Sequence, residues 1–503
     1  MNRSVCSARL SRRALLASSG LVVSMPALSS AQDATPSAPP VASPVPEATA
    51  GADWPLYGAD LAGTRVAGSS AITAANVATL RQAWTLDVGG AVSGTPVIAG
   101  GVVYLGSYSG TLYAIDLVSG TTAWAYDTGA AVREPNLGVD LGILGSAAVA
   151  DGTVFVGDAT ATVHALDAAS GSLRWKTKID KQTNASIWSS PVVAGDAVYV
   201  GVASVAKETG FRGNVVALDA AKGRQRWKTY SVPEGADGGG VFAVPAIDLD
   251  RGLLYAGTQN AYSPNPAPYG NPTSVLALDL ATGDERWVFN APPGGGPTAP
   301  TDDVGFSASP NLFSARFFGT QRELVGIGQK SGLYWVLDRD TGEFLWRTQV
   351  SPAGPLGGME GTSAVSGSRI VVPATNWPDP AGPAAGLVSA LDTATGKILW
   401  SAKQTAPAAA PVAISADTAL QAGIDGLLHA YALSSGQEIW QVDLGASVSS
   451  GIAVSGGTVV LAAATPPFAP FVRPGTAVLA FSLGGAAESQ ATPIGDGTDS
   501  IAN

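Results

Sequence analysis

One phrase recurs along this chain and limits what it can fold into. Tyr113-Ala114-Ile115-Asp116 is followed by Gly120 and Trp124, and the same Asp, Gly and Trp return at fixed offsets. The later copies are Asp167, Gly171, Trp175; Asp219, Gly223, Trp227; Asp279, Gly283, Trp287; Asp338, Gly342, Trp346; and Asp392, Gly396, Trp400. In a seventh copy Ala432 replaces the aspartate while Gly436 and Trp440 hold register. Alternating apolar residues before the Asp predict a strand, Asp and Gly a tight turn, and the run to Trp a second strand. Each phrase is therefore a hairpin.

The two ends carry complementary halves. Trp84, in Ala83-Trp84-Thr85-Leu86-Asp87, has the closing strand alone, and Ala477-Val478-Leu479-Ala480-Phe481 has the opening strand alone. Together they predict one shared blade that closes a ring and leaves no open sheet edge. The expectation is an all-β, eight-bladed β-propeller of four-stranded antiparallel blades, with the tryptophans packing blade to blade.

Composition removes several chemistries. Only 13% of the 503 residues are charged and the formal net charge is −11, with no basic cluster, which argues against nucleic-acid binding. No apolar run long enough to span a membrane follows the N-terminus. The single cysteine, Cys6, rules out a disulfide framework, and two histidines cannot build a multi-histidine metal site. His164 and His429 both sit in repeated strand patterns and read as structural; neither is accompanied by a Gly-x-Ser-x-Gly elbow.

The termini read differently from the body. Arg3, Arg9, Arg12 and Arg13 precede an apolar stretch from Ala14 to Val23 and then Ser29-Ser30-Ala31, the order of an export signal. Ser11-Arg12-Arg13 fits a twin-arginine signal, with the general secretory route as the alternative. Residues 1–31 are thus expected to be a signal peptide, 32–53 a Pro/Ala-rich linker, 54–485 the propeller and 486–503 a disordered tail. The expected location is outside the cytoplasm: periplasm, cell envelope or medium.

The phrase Ala-x-Asp-x-x-x-Gly-x-x-x-x-Trp resembles the tryptophan-docking repeat of quinoprotein alcohol dehydrogenases, eight-bladed propellers that hold pyrroloquinoline quinone (PQQ) and calcium on their axis. Trp54-Pro55-Leu56-Tyr57-Gly58 is similar to that family's opening, and Phe211-Arg212-Gly213-Asn214 with Gln329-Lys330-Ser331-Gly332 is similar to its polyvinyl-alcohol dehydrogenase branch. The resemblance implies PQQ and calcium as cofactors, a small-molecule or polymeric alcohol as substrate, and a separate electron acceptor such as a cytochrome.

It also implies site residues. Glu208 and Asn260 stand where the family ligates calcium, and Asp303 where it has its catalytic aspartate, also a metal ligand. Lys330 stands where a cation contacts the quinone oxygens, and Phe242 where an aromatic floor lies. Arg133 is a candidate partner for the cofactor's carboxylates. Taken singly, each also reads as an ordinary loop residue. This chain departs from the family in three ways: Phe242 where tryptophan is common, no cysteine pair to roof the quinone, and Gly305 where the polyvinyl-alcohol branch repeats an aspartate. A non-catalytic propeller that displays its loops to an envelope partner is the alternative, because such scaffolds use the same phrase.

Overall fold

The computed structural model describes residues 53–134, 138–205, 210–259, 273–292, 304–353, 357–376 and 384–484. Eight antiparallel sheets follow one another, seven of four strands and one with an added fifth. Blades 1 to 7 span 97–127, 148–178, 192–230, 246–290, 311–349, 364–404 and 413–443. Blade 8 takes three strands from 453–483 and its outermost, Leu80–Asp87, from the other end of the chain. That strand pairs antiparallel with Ala477–Leu483, Trp84 opposite Ala480, as the complementary half-phrases require. Among the described residues the one helical element is the 3-10 turn Val77–Thr79.

The repeated Trp and Gly are two halves of one contact between neighbouring blades. Gly120 has φ +71, and a methyl group built on it would lie 2.5 Å from Trp84 Cγ. Only glycine both adopts that backbone and lets the indole of the preceding blade lie flat on it. Gly171 under Trp124, Gly223 under Trp175, Gly283 under Trp227, Gly342 under Trp287 and Gly396 under Trp346 repeat the arrangement. The indole N–H then donates to the carbonyl just after the repeat aspartate: Trp84 to Leu117 at 2.9 Å, Trp124 to Ala168 at 3.0 Å, Trp175 to Ala220 at 2.9 Å. In three blades a tyrosine shares that acceptor. Tyr199 Oη and Trp227 Nε1 both donate to Leu280, at 3.2 and 3.0 Å, so both carbonyl lone pairs are used. The aspartates shape the turn itself: Asp116 Oδ1 accepts from the backbone of Val118 and Ser119.

Residues 54–71 cross one end of the ring. Pro55, Leu61, Ala62, Thr64 and Arg65 accept, through their carbonyls, from the innermost strands of blades 2, 4, 5, 6 and 7 at Val149, Ile247, Leu312, Val365 and Ile414. Arg65 lies fully buried there, donating to the Tyr57, Val412 and Ile452 carbonyls beneath the rings of Trp54 and Tyr57. Burial lowers its pKa to about 10. Tyr57 thereby stands at the axis.

Both histidines tie a strand to the turn before it. His164 Nε2 is 2.9 Å from Asp158 Oδ2 and its Nδ1 3.1 Å from Tyr126 Oη. His429 lies between Asp425, 3.2 Å away, and Glu438, 2.5 Å away. Burial opposes a charge on His429, but the two carboxylates outweigh it and raise its pKa to about 9.

Two predictions follow from these contacts. Gly283→Ala meets both backbone strain and the Trp227 indole, whereas Gly252→Ala, at φ +63 with open space around it, meets strain alone. Strain of this kind costs roughly 1–3 kcal/mol, so denaturant midpoints should fall for both and further for Gly283→Ala. A folded-state pKa raised above the unfolded value stabilises fully below pH 6.5 and loses that contribution as pH rises through about 9. The Tm of the wild type should therefore drop more between pH 6.5 and pH 10 than that of His429→Gln; equal slopes would remove the role assigned to this histidine.

Candidate functional site on the propeller axis

The chain entering each blade places one side chain toward the axis, always four residues before the innermost strand begins. Ser93, Leu144, Trp188 and Phe242 do so for blades 1 to 4, and Ser307, Glu360, Ala409 and Ser449 for blades 5 to 8. All eight line a single axial cavity of about 190 Å³, with Tyr57 also in its wall. The regularity has a steric cause. The residue before each of these, such as Ile143, Ile187 or Val241, is fully or almost fully buried between blades. The residue after each is Gly, Ala or Ser, because adjacent backbones touch there: a methyl group on Gly94 would sit 2.7 Å from the Gly145 carbonyl oxygen. Strand-like alternation then turns every middle residue inward.

Equivalent positions carry unequal residues, and that inequality makes a site. Trp188 and Phe242 form an aromatic wall, rings 5.7 Å apart and tilted by 44°. Four blades further round stand Ala409 and Ser449, so large residues face small ones and the open space lies over the aromatic side. Serines 93, 146, 190, 307, 309 and 449 add hydroxyls. Among them Ser146 Oγ is buried without a hydrogen-bond partner, as is Trp188 Nε1.

Lys330 supplies the cation. Its turn, Gln329 to Gly332, is clamped: the buried Gln329 Oε1 accepts from Trp335 Nε1 at 2.9 Å and from Ser331 Oγ at 2.5 Å. Lys330 N–H donates to the Gly305 carbonyl at 3.0 Å, and its Nζ lies 3.5 Å from Glu360 Oε1 at the cavity wall. Gly305 itself packs against the side chain of Gln259, whose amide donates to Ser307 Oγ. A carboxylate at position 305 would require Gln259 to move, which gives this chain's departure from the aspartate pattern a physical reason.

Phe242 thus lines the axial cavity, and Lys330 pairs with Glu360 in its wall. Arg133 is not among the residues that line this cavity. In the hairpin of Val132–Glu134 with Val139–Leu141, Val132, Glu134 and Leu141 turn inward, and Arg133 faces solvent opposite Asp140, pairing with it at 3.4 Å. Glu208, Asn260 and Asp303 lie outside the described residues, as do positions 1–52 and 485–503. Among the described residues no three His, Cys, Asp or Glu side chains converge on a possible metal position, and no helix is long and apolar enough to cross a membrane. Trp188 and Glu360 are the site residues that the repeat did not point to. A signal for Trp188 was available in the offset it shares with Phe242 and Ser307, each three residues before a proline, whereas Glu360 has Ser363 at that place.

Comparison with known proteins agrees with this architecture. Residues 54–366 match the PQQ family described as the β-propeller domain of glucose, ethanol and alcohol dehydrogenases, and residues 384–471 match the outer membrane protein assembly factor BamB. The chain belongs to the PQQ β-propeller family. It is 28% identical over 447 residues to a polyvinylalcohol dehydrogenase of Pseudomonas sp., covering 78% of this chain and 68% of that one. A polyvinylalcohol dehydrogenase of a Sphingopyxis species is 28% identical over 445 residues, covering 75% and 64%; the chain spans about two thirds of the length of either. In three dimensions the crystal structure of quinohemoprotein alcohol dehydrogenase from Comamonas testosteroni superposes with a TM-score of 0.75 at 23% identity, covering 88% of this chain and 82% of that one.

Proposed function

We propose that this protein is an exported PQQ- and calcium-dependent dehydrogenase of primary or secondary alcohols, small or polymeric, that passes its electrons to a separate acceptor such as a cytochrome. The observation that carries the reading is the axial cavity, where an aromatic wall and serine hydroxyls stand beside a lysine paired with Glu360. PQQ is flat, anionic and rich in oxygen acceptors. Trp188 and Phe242 would stack on its plane. Lys330 would meet its oxygens. These residues fit the group.

When bound, PQQ beside a divalent cation supplies a polarised carbonyl that accepts hydride from the alcohol carbon. The protein's part is proton handling and charge. Asp303 would take the hydroxyl proton, and Lys330 would stabilise negative charge that develops on the quinone oxygen. Glu208 and Asn260, with Asp303, would hold calcium, which prefers hard oxygen ligands. The tilted Phe242 offers less stacking area than tryptophan would, and Trp188 beside it makes up the wall.

The scaffold reading has one observation of its own, the match of blades 6 to 8 to an assembly factor that the family description names. Titration of the full chain with PQQ at saturating calcium, followed by alcohol-dependent dye reduction, separates the two. We expect stoichiometric binding and turnover; a wild type that binds no PQQ at any calcium concentration leaves the scaffold reading.

Variants sharpen the test. Trp188→Ala should weaken PQQ binding by about tenfold, the scale of one aromatic stacking contact, and Arg133→Ala should leave it unchanged. Asp303→Ala should lose roughly 10²-fold or more in kcat yet still bind PQQ, whereas Glu208→Ala should weaken calcium and PQQ together. Unaltered binding and turnover in all of these would overturn the assignments. Export predicts a mature N-terminus at Gln32, read by mass spectrometry of protein from the native host.

A further inference from the structure

Glu360 is the only charged member of the ring of eight axis-facing residues. A carboxylate in that position is unfavourable beside an anionic, acceptor-rich ligand, since it has no donor to offer and repels the ligand's charge. Its surroundings show what it does offer. Glu360 Oε1 is 3.5 Å from Lys330 Nζ; the two side chains are 34% and 17% exposed. The main chain fixes the pair from both sides. Met359 N–H, next to Glu360, donates to the carbonyl of Gln329, next to Lys330, at 3.1 Å. Gly358, at φ +76, lies so close against the Lys330 backbone that a side chain there would collide with it. Lysine alone is a flexible point charge on a long stem. Here its turn and backbone are held and Glu360 stands beside its ammonium, so the charge is kept next to a residue of the cavity wall.

We infer that Glu360 is the positioning residue of this site: its carboxylate fixes the Lys330 ammonium at the axis and offsets part of its charge. The inference rests on the reading that the axial cavity takes PQQ. An exposed ion pair with no task contributes about 0–1 kcal/mol and its loss would pass unnoticed. A pair that aims a functional cation behaves differently, because removing the anion withdraws one of the restraints that orient the cation.

The test is a double-mutant cycle of Glu360→Gln and Lys330→Met in the full chain, read by PQQ affinity from absorbance and by kcat. Alongside it, Lys330 is acetylated in cofactor-free protein and quantified by peptide mass spectrometry. Glu360→Gln should bind PQQ as tightly as the wild type or more tightly, lose roughly tenfold or more in kcat, and expose Lys330 to acetylation several-fold faster. In the Lys330→Met background it should cost nothing further. Glu360→Asp, which keeps the charge on a shorter stem, should recover part of the loss. A kcat loss of equal size with and without Lys330, or unchanged labelling and turnover in Glu360→Gln, would overturn the inference. If the wild type binds no PQQ, the reading of the cavity fails, and the labelling arm still decides whether Glu360 controls Lys330.

Discussion

The contact between an indole and the glycine of the next blade governs this molecule. Each blade buries its faces only against its neighbours, so a ring must close before any blade is fully covered. The Trp–Gly step sets the spacing of that ring: a flat indole on a bare backbone, locked by an N–H to a carbonyl at a fixed offset. The contact survives loss of the aspartate, since Trp400 still covers Gly436 and donates to the Leu433 carbonyl at 3.0 Å, but it changes at the blade shared by the two chain ends. Trp440 meets Phe481 edge-on at 6.5 Å, and its indole N–H is without the bond that most other copies make. The ring still closes there because Leu80–Asp87 supplies the outer strand of the last blade.

Closure creates the axis, and the axis creates the site. Eightfold repetition delivers eight side chains to one cavity from equivalent backbone positions, so no loop has to be aimed individually. Chemistry then comes from breaking the repeat: aromatic residues on blades 3 and 4, an acid on blade 6, serine or small residues elsewhere. The segment 54–71, crossing one end and bringing Tyr57 to the axis, adds a wall that no blade could contribute. Stability and function are written at different positions of the same phrase. The outer strands carry the invariant Trp and Gly, and the entry to the inner strands carries the variation.

That division explains what could be read from the sequence. The blade count, the four-stranded hairpins and the shared blade of Trp84 and Phe481 were legible because the outer-strand phrase is repeated almost unchanged. Lys330 and Phe242 were singled out through family resemblance; Phe242 lines the cavity and Lys330 pairs with Glu360 in its wall. Trp188 and Glu360 were not, since a position that varies from blade to blade has no repeat to expose it; only alignment of the entry segments on their inner strands does so. Arg133 is the opposite case. A cation in a loop looked like a carboxylate partner, and it is one, but hairpin alternation gives it Asp140 of its own chain. The Gly at 305 is legible only in three dimensions, where the side chain of Gln259 occupies the space beside it.

The central claim is that the axial cavity, with its aromatic wall on blades 3 and 4 and its cation on blade 5, is a quinone site. Its most direct test is a crystal structure of the full chain grown with PQQ and calcium. We expect a flat ligand packed on the aromatic wall of Trp188 and Phe242, with its oxygens in reach of Lys330 Nζ. Clear density with an axial cavity filled only by water, or PQQ bound away from those residues, would contradict it.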